Sequence, residues 1–170
     1  EQLKHCVVTE IVQEGSFLPI EGNYREIILS KKISNISLCH PKKIFLPSVY
    51  KHVGFELKNF LIGYSKKMMI PILKQKANLI QKKISKISFK DTKSRWGSCT
   101  SNRSIMINWR LIMAPPSVYK YVLIHELSHL VHMNHSSKFW KLVWELHPNY
   151  LNDKKWLKIY GKEIRKYVFN

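Results

Sequence analysis

The chain has 170 residues, 45% hydrophobic and 12% aromatic, a composition that suits one globular domain with a substantial core and excludes a fibrous or disordered polymer. Lys and Arg number 29 against 11 acidic residues, a formal charge of +18, which favours partners carrying negative charge, nucleic acid first among them. No stretch approaches the ~18 consecutive apolar residues of a membrane span, and the three cysteines, Cys6, Cys39 and Cys99, are too scattered for a disulfide framework and fit a reducing cytoplasm.

The opening EQLKHCVVTE lacks the apolar core of a signal peptide. Residues 7 to 46 alternate short β-branched runs (VVTEIV, LPIEGNYREIIL, ISNISL, KKIFLPS) with turn residues, which predicts strands and hairpins turning at Gly15 and at Gly22-Asn23. This β-rich part is expected to end near residue 48. From Val49 to about Lys83 the spacing becomes helical, through Phe55, Phe60, Ile62, Leu73, Ala77 and Ile80, with a break or kink expected at Pro71. Residues 58 to 95 hold eleven Lys or Arg against the single acid Asp91, so one exposed side there should be strongly positive. The charge is mostly Lys, in an Ile-rich chain, which an AT-rich genome would also encode, so charge alone leaves nucleic-acid binding and compositional bias both open.

Residues 86–92 and SIMINW (104–109) read as two more strands, joined through KSRWGSCTSNR. An antiparallel sheet is expected here, packed on the helix that follows and offering an edge to which an extended peptide could add. In the connection, Cys99 reads as a packing residue and Trp96 as a structural aromatic, with Arg95 and Trp96 also placed to line a cleft. Ala114-Pro115-Pro116 then opens a helix. A second runs from Ser136 or Ser137 to His147, with Phe139, Trp140, Val143 and Leu146 as its core face. The tail is expected to be a last helix that loosens after Gly161.

The helix opened by the prolines carries HELSHLVHMNH, residues 125–135. His125 and His129 lie about 40° apart around the axis and one turn along it, so their rings can converge on one ion. His132 shares that face, but three ligands on a straight helix would span about 10 Å along the axis, too far for one ion. If the helix ends between His132 and Asn134, with Asn134 left-handed, the chain can reverse and bring His135 back. The expected ligands are therefore His125, His129 and His135. Leu123, Leu127 and Leu130 point the opposite way, flanked by Ile124 and Val131, so one face is for a core and the other for chemistry. In an HExxH motif the residue after the first ligand is a general base, here Glu126.

The runs RWGSC (95–99), INWRLIMAPPSVYKYVLIHELSHL (107–130) and MNHSSKFW (133–140), with LP and GNY near residues 18–24, closely resemble the YgjP-like metallopeptidases, a family similar to the SprT-like and WLM metalloproteases. The resemblance implies a small α+β zincin-like domain spanning residues 1–170. It also implies Zn2+ held by His125, His129 and His135, Glu126 as catalytic base, and a protein or peptide substrate, with DNA-associated proteins a candidate class. His132 is not required by the family motif and reads as a supporting or surface residue. Tyr150, Tyr160 and His147 follow the site and are weak candidates for stabilising an oxyanion. Two other readings stay open: a nucleic-acid or protein-binding module with structural zinc, and a zinc amidase acting on a non-protein substrate.

Overall fold

The computed structural model describes residues 9–170; Cys6 and the first residues of VVTEIV lie outside the described residues. The architecture is α+β, with four α-helices and three small sheets. A two-stranded parallel sheet pairs β1 (Glu10–Ile11) with β8 (Tyr167–Val168), joining the two ends of the described chain. A second sheet has β2 (Phe17–Ile20), β3 (Asn23–Ser30) and β4 (Lys43–Pro47) in that order. The β2–β3 hairpin turns at Glu21 and Gly22, both at positive φ (51° and 79°), one residue earlier than expected. Such a turn matches the right-handed twist of the strands but strains a glutamate. Glu21 is held there by its backbone N–H on the Ile112 carbonyl (2.7 Å) and by hydroxyls of Tyr64 (3.0 Å) and Tyr119 (3.3 Å) on its carboxylate. β4 pairs in parallel with β3, and of ISNISL only an isolated bridge, Ser37 to Phe45, forms.

Helix α1 (Val53–Leu79) is assigned without interruption through Pro71. The expected break is absent because Pro71 sits on the exposed side, where a carbonyl that loses its partner is open to water. Its buried stripe, Leu57, Leu61, Ser65, Met69, Leu73 and Ala77, advances four residues at a time, while Phe55 stays exposed. Ser65 bonds the carbonyls of Leu61 (2.7 Å) and Trp109 (2.9 Å), so this small residue joins α1 to the 3₁₀ turn Trp109–Met113.

The third sheet positions the site. It holds β5 (Lys86–Lys90), β6 (Gly97–Cys99) and β7 (Ser104–Asn108) in the order β5-β7-β6. The expectation of an antiparallel sheet is corrected: β6 is antiparallel to β7, but β5 is parallel to it. The connection from β5 to β7 passes through β6, which makes the long crossover that a parallel pair needs. Ile105 and Ile107 of β7 are fully buried on the face toward α2 (Pro116–Ser128). Helix α3 (Ser137–Leu146) is capped by the Ser136 hydroxyl, which accepts from the Phe139 N–H; Phe139 and Val143 are buried, Trp140 and Leu146 half-buried. Helix α4 (Tyr150–Arg165) does not loosen at Gly161. A Cβ there would stand 3.1 Å from Trp96, so the glycine lets the indole lie against the helix.

Candidate metal centre

HELSH occupies the last turn of α2, with His129 as its C-cap at φ −67° and ψ −16°. The helix therefore stops earlier than the expected His132 to Asn134. Leu130 bonds the Leu127 carbonyl (2.9 Å) and Val131 the Ser128 carbonyl (3.1 Å), i→i−3 contacts that tighten and end the turn. The residues at positive φ in the described chain do not include Asn134, so the reversal proceeds without a left-handed asparagine. Leu123, Ile124 and Leu127 are buried in the core as the helical spacing requires, while Val131 emerges to solvent.

The reversal brings His135 back to α2. Its Nε2 lies 3.1 Å from Nε2 of His125, and one ring nitrogen from each of His125, His129 and His135 falls within 4.8 Å of the others. Two nitrogens bound at ~2.05 Å to a tetrahedral zinc would be about 3.3 Å apart, so the His125–His135 spacing suits the ion. Two imidazole nitrogens at this separation either share a proton or converge on a cation. His125 Nδ1 is buried with no hydrogen-bond partner in the protein, so the chain's own groups leave this ring incompletely satisfied. His129 Nδ1 lies 3.1 Å from the His132 carbonyl oxygen; donating there fixes the tautomer and leaves Nε2 for a metal. His132 thus enters the site through its backbone, while its ring lines a separate groove with Leu79, Ile80 and Val131.

Helix α3 supplies the packing behind the histidines. The fully buried Phe139 ring has its centroid 5.0, 4.6 and 4.9 Å from those of His125, His129 and His135. Trp140 stacks on His135 at 5.8 Å and on Tyr150 at 5.5 Å, and Tyr150 stacks in turn on Tyr121. Burial, then the neighbouring His129, His135 and Lys154, pushes His125 down to about 3, and burial lowers His129 as well. Both rings are neutral near pH 7, the form that binds metal.

Glu126 is 7% exposed. Burial pushes its carboxyl up to about 7, with the Arg95 charge pulling the other way. The carboxylate lies against Gly97 of β6, where a Cβ would stand 2.5 Å from Cγ and 2.7 Å from Oε1. Cys99 shares that face; burial, and then Glu126, pushes its thiol up to about 11, as suits a packing residue. A cavity of about 200 Å³ is lined by Trp96, Gly97, Tyr121, His125, Glu126 and Leu157 among others. The larger groove beside His132, about 560 Å³, contains none of the three clustered histidines, so chemistry rather than size singles out the smaller cavity.

The other expected residues divide. Trp96 both lines this cavity and packs on Gly161 under the Arg165 guanidinium. Arg95 is exposed beside it. Tyr150 belongs to the aromatic stack behind His135, whereas Tyr160 lines a different cavity with Tyr24 and Trp156. His147 is engaged 2.5 Å from the buried Asp153 carboxylate. Sequence reasoning missed Gly97 and Tyr121. The sequence reads Gly97 as part of a connection, but the structure sets it in β6, where a glycine admits the close approach of another group.

Three imidazoles converging beside a buried carboxylate are the equipment of a metal-dependent hydrolase. The chain belongs to the YgjP-like metallopeptidase family, whose model, described as "YgjP-like, metallopeptidase domain", matches residues 10–160. Comparison with curated proteins returns no match.

Proposed function

We propose that this chain is a zinc-dependent peptidase in which His125, His129 and His135 hold the ion and Glu126 is the general base. The observation that carries this reading is three ring nitrogens within 4.8 Å of one another, beside a buried carboxylate that lines the same cavity as His125. An all-imidazole donor set suits zinc. Among the described residues no fourth His, Cys, Asp or Glu joins the group, which leaves a coordination position open, as catalysis needs and a structural site avoids. Zinc bound there supplies Lewis acidity toward a peptide carbonyl and a water.

The chain's own residues do the rest. Glu126 accepts a proton from the attacking water on a carboxylate oxygen and delivers it to the departing amine nitrogen. Burial by itself raises this carboxyl toward 7, and a cation held by the three histidines would favour its ionised, proton-accepting form. Gly97 leaves the space that this carboxylate occupies. β6 is an edge strand of its sheet, so an extended peptide can add to it by main-chain hydrogen bonds and lie beside Glu126. Free thiols at Cys39 and Cys99 suit a cytoplasmic setting, and the charge of +18 makes proteins bound to DNA the proposed substrate class.

Metal analysis tests the ligand set. Protein purified without chelator should hold near one zinc per chain, and His125→Ala, His129→Ala and His135→Ala should each lose most of it. His132→Ala should retain it, because its contribution is a backbone carbonyl. Loss in His132→Ala with retention in His135→Ala would overturn the assignment.

A further inference from the structure

We infer that the outer face of the β5-β7-β6 sheet is a docking groove for the phosphate backbone of duplex DNA. Strand alternation builds it. Lys86, Ser88 and Lys90 of β5 line this face with Ser104 and Met106 of β7 and Ser98 of β6. The register sets Lys86 beside Ser104, and Ser88 beside Met106, which in turn pairs with Ser98. The floor is therefore mostly small hydroxyl side chains, with cations at its margin. Lys93 and Arg95, from the connection to β6, complete a groove of about 510 Å³.

Charge and chemistry specify the occupant. No acidic side chain lines the groove, and the ion pairs among the described residues use none of Lys86, Lys90, Lys93 or Arg95. Asp91, the one acid in this stretch, is instead held by Arg110 at 2.7 Å. Lysine ammonium groups and Ser hydroxyls both donate to phosphate oxygens. The groove offers four cations, Lys86, Lys90, Lys93 and Arg95, enough to neutralise about four phosphates. No aromatic residue lines the groove, so it lacks the stacking platform that single-stranded binding uses. Lysines act as point charges, so the contact is to backbone and independent of base sequence. The duplex would lie across the sheet from Glu126; a link between the two sites rests on the peptidase reading, whereas the binding does not.

The test is fluorescence anisotropy of a short labelled duplex titrated with the full chain over a salt series. Four neutralised phosphates give a slope of log affinity on log salt of about −3.6. Lys86→Gln with Lys90→Gln should bring it toward about −1.8 and weaken binding about 60-fold near 0.1 M salt. Lys93→Gln alone, in the loop, should reduce the slope by about 0.9 and serves if the double variant melts early. The control, Lys155→Gln with Lys158→Gln, removes equal charge from exposed positions on α4 and should keep the parental slope. Equal losses in groove and control variants would overturn the groove, as would absence of binding. Groove-dependent binding of single strands as tight as the duplex would overturn the choice of ligand. Hydrolysis of an unfolded protein without DNA, measured in parallel, should be the same in parent and groove variants. If the parent shows no hydrolysis while the groove dependence stands, the peptidase reading fails and the docking site does not.

Discussion

The two faces of the β5-β7-β6 sheet share a backbone and do opposite things. On the inner face Ile105 and Ile107 are fully buried, and Gly97 and Cys99 lie against Glu126. On the outer face the neighbours of these residues in sequence are Ser98, Ser104 and Met106, half-buried among exposed lysines. A strand's two-residue period accomplishes this separation. A buried carboxylate and a row of hydrated cations then stand one sheet-thickness apart. The lesson is that adjacent residues in β6 and β7 should respond to substitution as if they belonged to different proteins.

Four substitutions probe that contrast. The largest effect is expected at Ile107→Ala, which opens a cavity on the inner face and should cost about 2–5 kcal/mol in chemical denaturation, against under about 1 kcal/mol for Met106→Ser on the outer face. Equal costs would mean that the sheet is not packed as described. Next comes Gly97→Ala, whose new Cβ stands 2.5 Å from Glu126 Cγ and must displace that side chain. Peptide hydrolysis should fall by about 10² or more, while zinc content is unchanged. Full activity would show that the carboxylate does not work from the position seen here. The smallest effect is expected at Ser98→Ala, the very next residue but on the other face: stability within about 0.5 kcal/mol and hydrolysis at the parental rate. A large activity loss there would merge the two faces functionally.

How much of this could be read from the sequence depends on the range of each contact. The convergence of His125, His129 and His135 is local, spread over eleven residues, and helical geometry suffices to propose it. The helix ends before the predicted position because tightened bonds at Leu130 and Val131 compete with continued α-helix, and no glycine or proline marks the spot. Gly97 facing Glu126 joins segments far apart in sequence through strand register, which has no local signature. The parallel pairing of β5 with β7 was hidden for a related reason: nearby strands usually form hairpins, and the intervening β6 took the hairpin partner's place. At Gly161 the apparent helix weakness answers to Trp96, another long-range contact.

The central claim, a buried carboxylate acting as base beside three histidine ligands, is tested most directly at Glu126→Gln. The amide keeps the shape and removes the proton acceptor, and general-base catalysis is worth about 10² to 10⁴ in rate. Zinc content and hydrolysis of an unfolded protein should be measured on the same preparations of parent and variant. The account requires parental zinc with hydrolysis reduced by at least about 10². Parental hydrolysis in Glu126→Gln would contradict it.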